Sequence, residues 1–257
     1  ELSGDLHASY IVEKIKNLDK NAKVYAIGGM NLKKQDVEIV RDIDSLAIMG
    51  FVEVVPKALK ISKLINKTVL EICSLKPDVL LTIDSPGFNT RVAGKLKKLG
   101  FAGKMMHVVA PTVWVYKPKR AIKFAHLFNK LFCILPFEPP YFTKHGLYSK
   151  YIGYPPLERL KNFTKLESDN KYIILALGSR RGEVIKHLEF AREIINLIKK
   201  EIPDAVFVLP TFDEFKEEIS SKLEGVTLAT TEEEKSFFMQ RAIFGIYKSG
   251  TGAVEAS

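Results

Sequence analysis

The sequence predicts an α/β protein made of two doubly wound, parallel-sheet domains. Three observations carry that reading. Short apolar runs with strand character recur along the 257 residues, and helical patterns separate them. Several of these runs close on glycine-bearing turns. The alternation also halts once, in a polar stretch at 153–171, and then begins again. Alternation on this scale implies right-handed strand–helix–strand units and hence parallel sheets.

In chain order, Ser3-Gly4-Asp5 caps a helix that runs through Ile11, Ile15 and Leu18. Val24 to Ile27 is a short strand ending in Gly28-Gly29, and Val54 to Leu75 is one helix or two. Val79 to Ile83 is a buried strand, Phe88 to Leu99 a helix, and Met105 to Val109 a strand. Pro118 to Phe128 is a helix and Leu131 to Leu135 a strand. Pro155, Pro156 and the mixed charges of 158–171 mark a boundary, giving domains 1–154 and 155–257. Beyond it, Ile173 to Leu177, Ala205 to Leu209, Val226 to Leu228 and Ile243 to Ile246 are strands with helices between them. Two such domains in tandem hold ligands in the cleft they face, at the C-terminal ends of strands.

Composition bounds the function. A hydrophobic content of 46% with 27% charged residues is that of a globular protein, and no apolar run approaches the roughly 20 residues of a membrane-spanning helix. Cys73 and Cys133 lie far apart in apolar stretches and read as buried thiols in a reducing compartment. The net charge is +9, with lysines at positions such as 57, 60, 63, 95, 97, 98, 117, 119 and 123. That excess favours an anionic partner: a membrane surface, a phosphorylated substrate or a nucleic acid. No aromatic RNA-binding signature or zinc spacing accompanies it, which argues against nucleic acid and metal. Glu1 opens the chain with no strand before Ser3, and Gly250-Thr251-Gly252 opens a helix that stops at Ser257; both ends read as truncated, the C-terminal domain being incomplete.

Several turns carry candidate chemistry, each with a plainer structural alternative. Gly178-Ser179-Arg180-Arg181-Gly182-Glu183 follows an apolar strand and opens a helix, where unpaired backbone N–H groups and guanidinium forks suit phosphate. A capped helix with solvated arginines is the alternative. Ser249-Gly250-Thr251, with Glu255 about one helical turn on, offers a second close phosphate approach and a carboxylate for ribose, or simply a glycine turn. Asp84-Ser85-Pro86-Gly87-Phe88-Asn89 places a carboxylate at a strand's C-terminal end, where it can accept a hydroxyl proton or cap the next helix. Glu1, Ser3 and Asp5 sit at another such turn, with His7 just inside the helix. Trp114, the sole tryptophan, and Glu138 follow two further strands; sugar stacking competes with core packing for the first, and ligand contact with capping for the second. Met49, Phe51, Val52, Val55 and Leu59 form an apolar set beside Lys57, Lys60 and Lys63, which is either a membrane-docking face or core.

Taken in order, these motifs resemble the lipid-A-disaccharide synthase family of inverting GT-B glycosyltransferases, and the resemblance spans nearly the whole chain. Its carriers are Glu1-Leu2-Ser3-Gly4-Asp5, Met49-Gly50-Phe51-Val52-Glu53-Val54, Asp84 to Asn89, Pro111-Thr112-Val113-Trp114, Pro136-Phe137-Glu138, Gly178-Ser179-Arg180 with Glu183, and Ser249-Gly250-Thr251 with Glu255. The chain departs from the family pattern at Leu177 (usually Pro), Tyr154 (usually His) and Tyr116 (usually Trp).

The resemblance implies a GT-B fold and the joining of UDP-2,3-diacylglucosamine to 2,3-diacylglucosamine 1-phosphate (lipid X), with release of UDP. It implies no cofactor or catalytic metal, a location on the cytoplasmic face of the inner membrane, and a homodimer as one arrangement. Asp84 becomes the catalytic base. Ser3, Asp5, Asn89, Trp114 and Glu138 become substrate contacts, and Gly178, Ser179, Arg180, Ser249, Gly250, Thr251 and Glu255 become UDP contacts. A non-catalytic relative that binds UDP or membrane, and another GT-B nucleotide-sugar enzyme, are the alternatives.

Overall fold

The computed structural model describes residues 2–42, 57–154, 164–178 and 181–248. The chain forms two compact units, 1–156 and 157–257. Every strand pairing in both is parallel.

The N-terminal unit opens with α1 (Leu2–Leu18), β1 (Tyr25–Gly28), α2 (Met30–Lys33) and β2 (Glu38–Asp42). Then come α3 (Lys57–Leu75), β3 (Val79–Ile83), α4 (Pro86–Lys98), β4 (Lys104–Val108) and α5 (Arg120–Leu127). β5 (Lys130–Cys133), α6 (Pro140–Thr143) and β6 (Tyr148–Tyr151) complete it. β1 and β2 form a two-stranded sheet; β3, β4, β5 and β6 lie in that order in a four-stranded sheet. Val92, Ala93, Leu96, Phe124, Leu131 and Phe142 form the centre of the core between that sheet and its helices. Full burial of each large apolar side chain contributes roughly 1.5–3 kcal/mol. Cys133 is buried and Cys73 partly buried, both as free thiols.

Two expectations change here. The inward stripe of α1 is not Ile11, Ile15 and Leu18, since Leu18 is 89% exposed. Asp5, Ala8, Ser9 and Val12 are buried instead, with Ala8 and Val12 against Ala26 and Leu32. A buried carboxylate and a hydroxyl on that face hide it from a reading of apolar spacing. The strands β2 and β6 also escaped the apolar criterion. β2 is rich in charge, and its buried Arg41 donates to Thr68 and pairs with Glu71 on α3. β6 is an edge strand of mostly exposed residues.

The C-terminal unit runs β7 (Lys171–Ala176), α7 (Arg181–Glu201), β8 (Ala205–Pro210), a 3-10 turn at Asp213–Phe215 and α8 (Lys216–Lys222). β9 (Val226–Ala229), α9 (Glu232–Arg241) and β10 (Ala242–Tyr247) follow. The sheet order is β10-β7-β8-β9. Strand order therefore reverses between β7 and β10, and α/β sheets bind ligands beyond the strand ends at such a switch point. Ile173, Leu175, Val184, Leu188, Ala191 and Phe207 pack α7 onto this sheet. Thr231 and Glu234 form a reciprocal capping box at the start of α9.

Candidate functional site

At the C-terminal end of β3 the backbone turns sharply. Asp84 and Ser85 both adopt left-handed conformations, φ 51° and 41°. For residues other than glycine this costs roughly 1–2 kcal/mol each. Val109, at the corresponding end of β4, is also left-handed, φ 70°. Such backbone strain gathers where function requires a fixed geometry. The Asp84 turn is braced from both sides. The Asp84 amide donates to the Val108 carbonyl at 3.0 Å. The Asn89 side-chain amide reaches back and donates to the carbonyls of Asp84 at 2.7 Å and Ile83 at 3.3 Å. Ser85, the residue before α4, makes no side-chain cap bond. Asp84 is half-buried.

The start of α1 lies against this turn. A Cβ added at Gly4 would sit 3.7 Å from the Asp84 Cβ and 3.8 Å from the Ile83 carbonyl oxygen. One turn further along the helix, His7 is 4% exposed and meets Tyr154 edge-on, ring centroids 5.7 Å apart. Burial pushes the His7 imidazole below its ordinary pKa, and the charge of Asp84 pulls it partly back.

Three residues read as substrate contacts are engaged with the protein's own backbone. Asp5, 4% exposed, accepts from the Gly29 amide at 2.6 Å and the Asn31 amide at 2.9 Å. It thus ties α1 to the start of α2 and does not cap its own helix. Gly28 is required beside it, because a Cβ there would lie 2.2 Å from Leu32 Cδ1. Asn89 uses its amide nitrogen on the Asp84 turn, as above. Glu138 is 1% exposed and accepts from the Leu135 amide at 3.0 Å. Burial raises its pKa, and its backbone bonds to Leu135 and Ile134 oppose that rise. Beside it, burial and then the Glu138 charge push the Cys133 thiol up to about 12. All three side chains therefore shape loops at strand ends, a role apolar spacing does not reveal.

Trp114 is half-buried and packs edge-on against Phe137 at 5.0 Å, with Tyr141 at 6.2 Å. Neighbouring Val115 and Tyr116 are 78% and 56% exposed, so the segment is an aromatic shelf with an apolar rim. Leu59 is exposed on α3; Met49, Phe51, Val52 and Val55 lie outside the described residues. Among the described helices, none is long and apolar enough to cross a membrane.

In the C-terminal unit, Gly178 follows β7 at φ 124°. A Cβ there would lie 2.8 Å from Glu183 Oε2, and Lys248 is the next neighbour. Lys248 follows β10, its amide bonds the Ala176 carbonyl at 2.9 Å, and its ammonium pairs with Glu183 at 2.8 Å. The ends of β7 and β10, at Gly178 and Lys248, thus lie side by side at the switch point. His187 Nδ1 lies 2.7 Å from the Leu177 carbonyl, which fixes Nδ1 as the protonated nitrogen and ties α7 to the turn. Lys248 and His187 were not singled out from sequence; the strand pairing alone brings them here. Ser179, Arg180, Ser249, Gly250, Thr251 and Glu255 lie outside the described residues, and the side chain of Ser3 likewise. Among the described residues, no three of His, Cys, Asp and Glu are placed to share a metal ion.

Comparison with known proteins gives consistent matches. A profile of the family described as lipid-A-disaccharide synthetase matches residues 1–257. The lipid-A-disaccharide synthase of Rickettsia bellii (strain OSU 85-389) is 46% identical over 197 residues, covering 73% of this chain and 51% of that protein. The chain thus spans about half the length of such curated relatives. The Rickettsia typhi (strain Wilmington) synthase is 35% identical over 271 aligned positions, covering 100% of this chain and 70% of that protein. Among solved structures, the Neisseria meningitidis UDP-GlcNAc 2-epimerase bound to UDP-GlcNAc has a TM-score of 0.65 at 14% identity, covering 96% of this chain and 76% of that one. A putative UDP-N-acetylglucosamine 2-epimerase from Listeria monocytogenes has a TM-score of 0.67 at 14% identity, covering 97% and 72%. At that identity the likeness establishes the fold, GT-B.

Proposed function

The chain belongs to the lipid-A-disaccharide synthetase family, and on that premise we propose that it joins UDP-2,3-diacylglucosamine to 2,3-diacylglucosamine 1-phosphate and releases UDP. The observation that carries the proposal is the Asp84 turn: a carboxylate at a strand end, on a left-handed backbone braced by Asn89. Asp84 takes the proton of the acceptor's 6-hydroxyl. The freed oxygen attacks the anomeric carbon from the side opposite the diphosphate and inverts that centre. The bond to the diphosphate breaks, and UDP carries away the electron pair.

The C-terminal unit supplies the diphosphate site. Amides of the turn after β7, the turn after β10, Arg180 and Lys248 face the charge that builds on leaving UDP. Preorganised donors of this kind are each worth about 10²–10³ in rate. Gly178, Ser179, Ser249, Gly250 and Thr251 line the diphosphate, and Glu255 holds the ribose. Trp114 offers an aromatic face to the acceptor.

The anionic inner-membrane surface is the partner that acylated substrates demand. Charge supports it: residues 57–135 hold fifteen Lys and Arg against three Asp and Glu, a net +12 that exceeds the whole chain's +9. Arg91, Lys95, Lys98 and Lys123 line one groove of about 410 Å³ with Ile65 and Leu127. Met49, Phe51, Val52, Val55 and Leu59 would add the apolar part of this face, and a second copy of the chain is the further partner the family implies.

Asp84→Asn tests the assignment, since it keeps the shape and removes the basicity. Turnover should fall by at least about 10² while UDP still binds. Turnover within a few-fold of wild type would reject Asp84 as the base.

A further inference from the structure

The most unusual buried polar group outside the assigned chemistry is His7. It is 4% exposed, and its Nδ1 has no hydrogen-bond partner among the described residues. Leaving a buried polar atom unpaired costs about 1–3 kcal/mol, so such atoms are rare in folded proteins. The position explains why one is kept here. Gly4 lies one helical turn before His7 on the same face of α1, and a Cβ added there would sit 3.7 Å from the Asp84 Cβ. The start of α1 therefore lies beside the β3 end. Tyr154, beyond β6, closes the other side of the imidazole edge-on. Among the described residues, the titratable groups around the ring are therefore Asp84 from β3 and Tyr154 from the segment after β6. Asp5, on His7's own helix, is taken up by the Gly29 and Asn31 amides.

We propose that His7 is a positioning residue for Asp84: a buried imidazole, enclosed by α1 and Tyr154, that holds the direction of the carboxylate for proton abstraction. This rests on Asp84 being the base. The order of effects fits. Burial keeps the ring uncharged near neutral pH, so it adds no competing cation, while Asp84's charge is felt at the ring. A buried imidazole one helical turn from Gly4 limits the directions open to a carboxylate at that strand end.

The test has a spectroscopic arm and a kinetic arm. The spectroscopic arm follows the ring resonances of the five histidines in ¹⁵N-labelled protein across pH, in wild type and in Asp84→Asn. His7 is identified by its loss in His7→Gln. Its midpoint should fall in Asp84→Asn by roughly 1 pH unit, or titration should vanish before acid unfolding. An unchanged or raised midpoint would overturn the proposal. The kinetic arm compares His7→Asn, which keeps a nitrogen near Nδ1, with His7→Leu at matched folded fraction. His7→Leu should lose kcat by about 10² with little change in donor KM. His7→Asn should recover part of kcat. Equal loss of kcat in both variants makes His7 structural only. The two claims fail separately. If Asp84→Asn turns over normally while the His7 midpoint still shifts, the base assignment is lost and the coupling stands. If Asp84→Asn is dead but His7→Leu is kinetically normal, the base stands and the positioning role is lost.

Discussion

Truncating Asn89 should loosen the turn that holds Asp84, and the cost can be worked from its bonds. Both partners of the Asn89 nitrogen are carbonyls, so the side chain can meet them only as a donor. The 2.7 Å bond to Asp84 is a good one, contributing about 0.5–1.5 kcal/mol net, and the 3.3 Å bond to Ile83 is weaker. Asn89→Ala also leaves partly buried carbonyls short of a donor, giving a total of roughly 1.5–3 kcal/mol. At about 2–4 °C per kcal/mol for a unit of this size, melting should fall by roughly 3–12 °C. The rate effect should be larger in proportion. Asp84 and Ser85 are left-handed at a cost that Asn89 helps offset, and relaxation of that backbone swings the carboxylate. A shift near 1 Å can cost about 10² in kcat with KM little altered. Asn89→Asp presents acceptors to acceptors and should be no better than alanine near neutral pH. Thermal melting and steady-state kinetics on the same preparations give both quantities. A variant melting within about 1 °C of wild type with unchanged kcat would refute the bracing argument.

Gly178→Ala puts a Cβ 2.8 Å from Glu183 Oε2 at φ 124°, so the backbone is strained and the Glu183 side chain, which pairs with Lys248, must shift. Calorimetric titration should show UDP binding weakened by at least about tenfold, and undiminished affinity would remove this turn from the diphosphate site. His107 predicts acid sensitivity. It is fully buried on β4, bonded to Thr82 at 2.7 Å and packed on Phe124 and Phe128, and burial pushes its pKa down to about 3. The unfolded histidine titrates near 6.5, so the unfolded chain gains the proton first. Stability is complete above that value and declines as pH falls, by about 2–3 kcal/mol between pH 6.5 and 4.5. Glu138, whose pKa is raised, acts in the opposite sense, so the quantity to compare is the pH slope of urea unfolding in wild type against His107→Gln. Parallel slopes would show that His107 titrates normally.

Much of this architecture was legible because parallel sheets advertise themselves. β3, β4, β5, β7 and β8 are apolar runs separated by helices, and the turns after β3 and β7 are rich in Gly, Ser, Asp and Pro. Asp84 and Gly178 could therefore be placed at strand ends from spacing alone. What stayed hidden depends on contacts distant in sequence. Asp5 looks like a helix cap until Gly29 and Asn31 supply its partners from 24 and 26 residues away. Glu138 looks like a ligand contact or a helix cap until the Leu135 amide and its burial are known. Lys248 joins the Gly178 turn only because β10 pairs with β7, a register no local pattern encodes. His7 gave no periodic signal at all, since it shares its buried face with a carboxylate and a serine.

The central claim is tested most directly by the product itself. Purified protein is incubated with UDP-2,3-diacylglucosamine and 2,3-diacylglucosamine 1-phosphate, and the lipid fraction is characterised by mass spectrometry and by NMR of the new anomeric proton. The account predicts a tetra-acyl disaccharide monophosphate joined through the acceptor's 6-oxygen, with the anomeric centre inverted relative to the donor and one UDP released per linkage. Retention at that centre, release of UDP without a disaccharide, or return of the donor as an epimer would contradict it.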